Sequence, residues 1–243
     1  MVIAITGGTR GIGRAIAERL AEAGHDLLLG YRADAEAAEE VLQALRHTGA
    51  SVIAHAVDVT DADALARFLS RAQELGPLTA VVANAGSVGA VGPLQSLDPE
   101  QLRRDLDTNL LGAVLTARAA IPVLSAATDA GASPAIVFIG SAAATLGSPH
   151  SYVHYAAAKA GVAALTVGLS KELAPLGIRV NCVEPGTVWT EFHEDPERPA
   201  LVASSIPLGR AGQPAEIAGA VSWFLSADAG YATGAVLRVA GGL

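Results

Sequence analysis

Short, nearly uninterrupted apolar runs alternate along the chain with longer stretches in which apolar residues return every three to four positions. The runs fall at 2 to 6, 26 to 31, 51 to 57, 78 to 83, 134 to 140, 177 to 183 and 235 to 239. Runs such as Val2-Ile3-Ala4-Ile5 and Leu27-Leu28-Leu29 lack polar alternation. As strands they would have no wet face, and strands buried on both faces belong to parallel sheets. The helical pattern occupies 11 to 24, 34 to 48, 61 to 75, 99 to 127, 152 to 174 and 214 to 226. This alternation predicts repeated βαβ units, hence an α/β fold with a doubly wound parallel sheet of seven strands and helices on both faces. No repeat, linker or low-complexity stretch breaks the pattern, so residues 1–243 are expected to form a single domain.

The first run meets the first helical stretch at Thr6-Gly7-Gly8-Thr9-Arg10-Gly11-Ile12-Gly13. Glycines at a strand-to-helix turn let the backbone approach a pyrophosphate, and the helix start offers unpaired N–H groups with a partial positive charge. A tight turn without a ligand uses the same residues, but the position after the first strand favours a phosphate cradle of the Rossmann type. The spacing is wider than Gly-x-Gly-x-x-Gly, so the ordinary dinucleotide fingerprint is not what is matched.

Tyr155 and Lys159 lie four apart on the 152 to 174 helix, which makes them neighbours on one face. An ammonium beside the phenol is expected to stabilise the phenolate and draw its pKa down from about 10, giving an acid or base usable near neutrality. A packed ring beside a solvated cation has the same spacing. With four Tyr and two Lys in the chain, however, a chance pairing is uncommon. Tyr152 competes for the role, but the residue four beyond it is Ala156. Ser141 follows the fifth run, at the strand end where doubly wound sheets gather ligands, and its hydroxyl suits a carbonyl oxygen as well as a helix cap. Asn109 falls inside a Leu-rich helical pattern; an unpaired buried amide there would cost about 1–3 kcal/mol, so it must have partners.

Composition narrows the partners. Hydrophobic residues make up 51% and charged residues 16%, enough for a large core. A net charge of -8 opposes nucleic-acid binding over most of the surface. The one cysteine, Cys182, lies in a Val-rich run, has no disulfide partner within the chain and reads as core packing. No metal is expected. Val2 to Ile5 runs straight into glycines with no charged leader, and no stretch reaches 18 uninterrupted apolar residues. The expectation is a cytoplasmic protein with no membrane partner.

Together the motifs resemble the short-chain dehydrogenases/reductases in their compact form, and the resemblance covers the whole chain. It rests on Thr6 to Gly13, Asp58 after the third strand, Asn84-Ala85-Gly86 after the fourth, Asn109, Ser141, Tyr155 with Lys159, Pro185-Gly186 with Thr190, and the ending from Tyr231-Ala-Thr-Gly234 to Gly241-Gly242. The look is similar to bacterial 3-oxoacyl carrier-protein reductases and glucose dehydrogenases. Ala83 departs from the pattern, since the family usually has a further Asn there.

The resemblance implies a catalytic set of Asn109, Ser141, Tyr155 and Lys159, with Asn109 at a local bend holding a water that leads protons to the lysine. It implies a nicotinamide dinucleotide held by Gly7, Thr9, Arg10, Gly11, Ile12 and Gly13, then by Tyr31, Arg32, Asp58 and Val59. Asn84, Ala85 and Gly86 follow, with Tyr155 and Lys159 themselves, and Pro185, Gly186, Val188 and Thr190 complete the set. Asp58 resembles the adenine-binding acid, and Val188 and Thr190 the carboxamide contacts. It also implies a homotetramer built through the helices near 108 to 127 and 152 to 174, whose Ala117, Ala119, Ala120, Ala156, Ala157, Ala160, Gly161 and Ala164 allow close packing.

Cofactor choice is read after the second strand, where an NAD enzyme usually carries a carboxylate and an NADP enzyme an arginine. Tyr31-Arg32 stands there, with Arg10 placed to close on the same 2′-phosphate and Asp34 nearby. NADP is therefore expected over NAD. Thr187 to Arg210 reads as a lid carrying Trp189, Phe192 and His193, which favours a small carbonyl or alcohol substrate with some apolar surface. Glu191, Glu194, Asp195 and Glu197 disfavour a highly acidic one. A carrier-protein partner would want a basic docking patch, and no Lys or Arg occurs from Ala119 through Ser141. The expected function is hydride transfer between NADP(H) and a ketone or secondary alcohol with Tyr155 as general acid/base. The alternative, a catalytically idle dinucleotide-sensing protein on the same fold, is opposed by the intact set of Asn109, Ser141, Tyr155 and Lys159.

Overall fold

The computed structural model of the protein describes residues 1–191 and 197–243. In chain order β1 (Val2–Thr6) leads to α1 (Gly11–Glu22), β2 (Asp26–Tyr31) to α2 (Ala35–Leu45), and β3 (Val52–Ala56) to α3 (Ala62–Ser70). Then come β4 (Leu78–Ala83), α4 (Pro99–Leu106), α5 (Gly112–Asp129), β5 (Ala135–Ile139), the short α6 (Ala143–Leu146) and α7 (Val153–Leu173). The chain continues through β6 (Arg179–Pro185), the short α8 (Arg198–Val202), α9 (Pro214–Leu225) and β7 (Val236–Val239).

The strands form one sheet in the order β3-β2-β1-β4-β5-β6-β7, and every pairing is parallel. This is the doubly wound fold the apolar runs predict. Strand order reverses between β1 and β4, and the crevice outside the carboxyl ends there is where such sheets bind ligands. Alternate residues of the central strands feed two cores: Ile3 and Ile5 pack with Ile16, Leu20, Val221 and Phe224, whereas Ala4 joins Leu28, Val81, Leu124 and Phe138 on the opposite face.

Several expected boundaries move, two of them with an evident cause. The sixth strand begins at Arg179 and runs on to Pro185, because Gly177, at φ 71°, closes the turn after α7 and is lost to the strand. The single helix expected over 99 to 127 is interrupted at Asp107–Leu111 by a π-helical turn, in which the Gly112 N–H reaches the Asp107 carbonyl. The combined run Pro99–Asp129 is long and apolar enough to cross a bilayer. Here Ala117, Ala120 and Leu124 place its apolar stripe on the sheet. Of the small residues named for helix packing, Ala117, Ala120 and Ala156 are buried within the subunit and Gly161 seats Leu110, while Ala157 and Ala164 are exposed on α7.

Candidate active site

The switch point is fastened by side chains at its two strand ends. The Thr6 hydroxyl accepts the N–H groups of Asn84 and Ala85, both at 3.1 Å, and the Asn84 amide donates to the carbonyls of Thr6 (3.0 Å) and Gly7 (2.8 Å). Ala83, where a further Asn was expected, is buried at the end of β4, and Asn84 ties the two strands instead. Between these ends the glycine turn folds tightly. Gly7 and Gly11 have φ of 64° and 52°, and a Cβ on Gly13 would stand 2.0 Å from the Gly7 carbonyl oxygen. No side chain caps α1, so the first N–H groups of a twelve-residue helix remain available to an anion at its start.

A cavity of about 700 Å³ opens on this turn, within the range of roughly 300–1,000 Å³ usual for cofactor and small-molecule sites. Gly7, Thr9, Arg10, Gly11, Ile12 and Gly13 line one end with Tyr31, Arg32, Asp58 and Val59. Asn84, Ala85 and Gly86 line it as well, with Ser141, Tyr155, Lys159, Pro185, Gly186, Val188 and Thr190. Asn109 is the one expected site residue outside the wall. It is buried behind the wall, in the π turn, with its amide donating to the Ser87 carbonyl (2.7 Å) and the Asp105 carbonyl (2.9 Å) and accepting the Ser87 N–H (3.2 Å). The partners this amide required are thus main-chain groups, two at Ser87 of the adjoining loop and one at Asp105 in the last turn of α4.

Tyr155 and Lys159 are both buried at the start of α7. The Ser141 hydroxyl is hydrogen-bonded to the Tyr155 phenol and also accepts the Ala143 N–H at 3.2 Å, so it serves as turn cap and site group at once. The Lys159 ammonium lies 5.6 Å from the centre of the Tyr155 ring and donates to the Ile139 carbonyl at 2.9 Å. The expected lowering of the phenol pKa does not occur in this state. Burial pushes Tyr155 well above its ordinary value, and the Ser141 hydrogen bond offsets this only in part. Burial likewise lowers Lys159, to about 8. The site therefore holds a protonated phenol at neutral pH, beside a lysine that is still an ammonium.

At the opposite end, Arg10 pairs with Asp34 at 3.5 Å, with 61% and 41% of the two side chains exposed. Asp34 also caps α2 through the Ala37 N–H. Asp58 accepts the Thr60 N–H and hydroxyl at 2.9 and 2.7 Å, which with the nearby Arg32 lowers its pKa.

Several wall residues were not singled out from the sequence. Tyr152 lines the cavity with its ring edge-on to Tyr155, centroids 5.5 Å apart, and its hydroxyl accepts from Arg198 of α8 at 3.0 Å. Ser87, Val88 and Leu146 also line the cavity. Only the nearness of Tyr152 to Tyr155 signalled this in the sequence. Trp189 and Glu191 belong to the described part of the expected lid, whereas Phe192, His193, Glu194 and Asp195 lie outside the described residues. Cys182 is a buried thiol in the core, its pKa raised chiefly by burial to about 12.

The family model described as enoyl-(acyl carrier protein) reductase matches residues 7–243. The chain is 41% identical to the uncharacterized oxidoreductase YgfF of Escherichia coli K12, over 98% of each chain. It is 38% identical to the cis-4-hydroxycyclohexanecarboxylate dehydrogenase of Sinomonas cyclohexanicum, over 99% of this chain and 95% of that one. Among solved structures, a short chain dehydrogenase from Burkholderia cenocepacia J2315 in complex with NADP superposes with a TM-score of 0.89 at 31% identity, over 99% of this chain and 96% of the other.

Proposed function

The chain belongs to the short-chain dehydrogenase/reductase family and is an oxidoreductase, and from that premise we propose that it transfers a hydride between NADP(H) and a ketone or secondary alcohol, with Tyr155 as the general acid/base. The observation that carries the reading is the convergence of Ser141, Tyr155 and Lys159 on the same cavity as the uncapped start of α1. Bound NADP(H) would supply or accept the hydride. The α1 N–H groups suit its pyrophosphate, and Arg10 and Arg32 offer the cations that a 2′-phosphate requires. A relative named for cis-4-hydroxycyclohexanecarboxylate, a secondary alcohol, supports the substrate class.

Within this reading, Ser141 orients a carbonyl oxygen toward the phenol through the hydroxyl that already meets Tyr155. Tyr155 gives that oxygen its proton. Burial keeps the phenol protonated, the form that can donate. The Lys159 ammonium, fixed by the Ile139 carbonyl and 5.6 Å from the centre of the Tyr155 ring, would be the cation available to the phenolate that remains. Asn109 holds the Ser87 backbone and so keeps that part of the wall in place.

The test is NADPH oxidation followed at its absorbance maximum with a panel of cyclic and aryl ketones. Turnover that disappears in Tyr155→Phe supports the reading, and NADPH binding without turnover of any ketone or alcohol would overturn it.

A further inference from the structure

Behind the wall lies a polar cluster that the proposed chemistry does not use. Asp105, in the last turn of α4, and His154, second residue of α7, are 2% and 7% exposed, with Nε2 and Oδ2 3.0 Å apart. With Asp105 as a carboxylate, which only accepts, His154 Nε2 is the donor of this bond. The same Oδ2 accepts the Ala90 N–H at 3.0 Å, Oδ1 accepts the Gln101 side-chain amide at 3.0 Å, and the Asp105 carbonyl accepts from Asn109 at 2.9 Å.

We propose that His154 and Asp105 are positioning residues which pin the loop after β4, and with it the substrate-side wall of the cavity, to the start of the helix that carries Tyr155. Asp105 and Asn109 are four apart on one helical run and hold Ala90 and Ser87 respectively. Between those anchors Val88 packs with Tyr152, Tyr155, Ala143 and Ala156. Gly89 lets the loop close on the cluster: a Cβ there would stand 1.9 Å from Gln101 Nε2 and 2.5 Å from Asp105 Oδ1. His154 joins this assembly to α7 one residue before the phenol.

The chemistry of the pair fits a positioning task better than a stabilising one. Burying two ionisable groups costs desolvation that an apolar pair would avoid, and what such groups return is a defined geometry. The His154 Nδ1 has no hydrogen-bond partner among the described residues. All of its specific bonding is therefore directed at Asp105. Loss of His154 would leave a buried carboxylate short of a donor and free to turn away from Ala90, shifting Ser87 and Val88 without touching the glycine turn.

The kinetic consequence rests on the carbonyl-reductase reading; the structural one does not, and the experiment separates them. Amide hydrogen exchange is measured on parent, His154→Leu, His154→Gln and Asp105→Leu, alongside kcat and KM with NADPH and 4-oxocyclohexanecarboxylate as the probe ketone. In His154→Leu the Ser87 and Ala90 amides should exchange about tenfold faster and KM for the probe should rise about tenfold, the equivalent of one buried hydrogen bond, while the NADPH Kd is retained. His154→Gln, whose amide can still donate to Asp105, should restore both. If His154→Leu fails to fold, Asp105→Leu, which removes the acceptor itself, carries the same expectation at Ala90. Parental exchange at Ala90 in a folded His154→Leu or Asp105→Leu protein overturns the pin. So does a His154→Gln protein as perturbed as His154→Leu. Should the parent leave the probe ketone unreduced, the exchange measurements decide the pin by themselves.

Discussion

Lys159 stands 5.6 Å from the centre of the Tyr155 ring, and its hydrogen bond goes to the Ile139 carbonyl at the end of β5, 2.9 Å away. The sheet, not the phenol, therefore sets where the cation sits.

Tyr155→Phe deletes the proton donor and little else, so turnover should fall by far more than tenfold while NADPH binding, followed by fluorescence, persists. Lys159→Ala should damage both turnover and binding. Tyr155→Phe retaining turnover within about tenfold of the parent would remove the phenol from the mechanism.

Burial lowers Lys159 from 10.5 to about 8, and the sign of its effect on stability follows. Between those values the unfolded chain binds a proton that the folded one does not, so this group's contribution to stability rises with pH across that window. Tyr155, raised by burial, adds the opposite slope only above its ordinary value of 10.0. Urea denaturation of parent and Lys159→Met should show the parent gaining on the variant from about pH 8 to pH 10. A constant difference across that range would contradict the buried ammonium.

The sheet was legible because β1, β2, β4 and β5 are apolar on both faces and bounded by glycine or polar turns. The site was legible where local spacing carries it, as with Tyr155 and Lys159, or where backbone demands name the residue, as with Gly7 and Gly11. What escaped depends on contacts distant in sequence. His154 meets Asp105 across 49 positions, and nothing local to either marks the pair. The phenol's pKa escaped for a related reason: helical spacing gives nearness to Lys159, but the balance between charge and burial is set by the whole fold around it.

A homotetramer remains the expected assembly, and α7 has a face suited to it. Ala157, Ala164, Val167 and Gly168 are exposed there and leave little bulk between two facing helices. Ala164→Glu would put a carboxylate into such a contact and should shift light-scattering mass downward while leaving the far-ultraviolet circular dichroism intact. A parent that is monomeric at micromolar concentration would refute the assembly.

The preference between NADPH and NADH tests the other end of the cavity, where Arg10, Arg32 and Asp34 meet. The Arg10–Asp34 pair is exposed, and such pairs contribute roughly 0–1 kcal/mol. A 2′-phosphate forming charge-assisted hydrogen bonds of about 1.5–3 kcal/mol each should displace Asp34 and favour NADPH by about tenfold or more. Arg32→Asp removes one of the cations and should erase or reverse the preference. Asp34→Asn keeps an oxygen to cap α2 but releases Arg10, so NADPH should bind several-fold more tightly with NADH nearly unchanged. Both effects should shrink in high salt, because the groups are solvent-facing. Equal affinity of the parent for the two cofactors would show that the arginines do not recognise the phosphate, and an Asp34→Asn protein with unchanged NADPH affinity would show that the carboxylate does not compete for it.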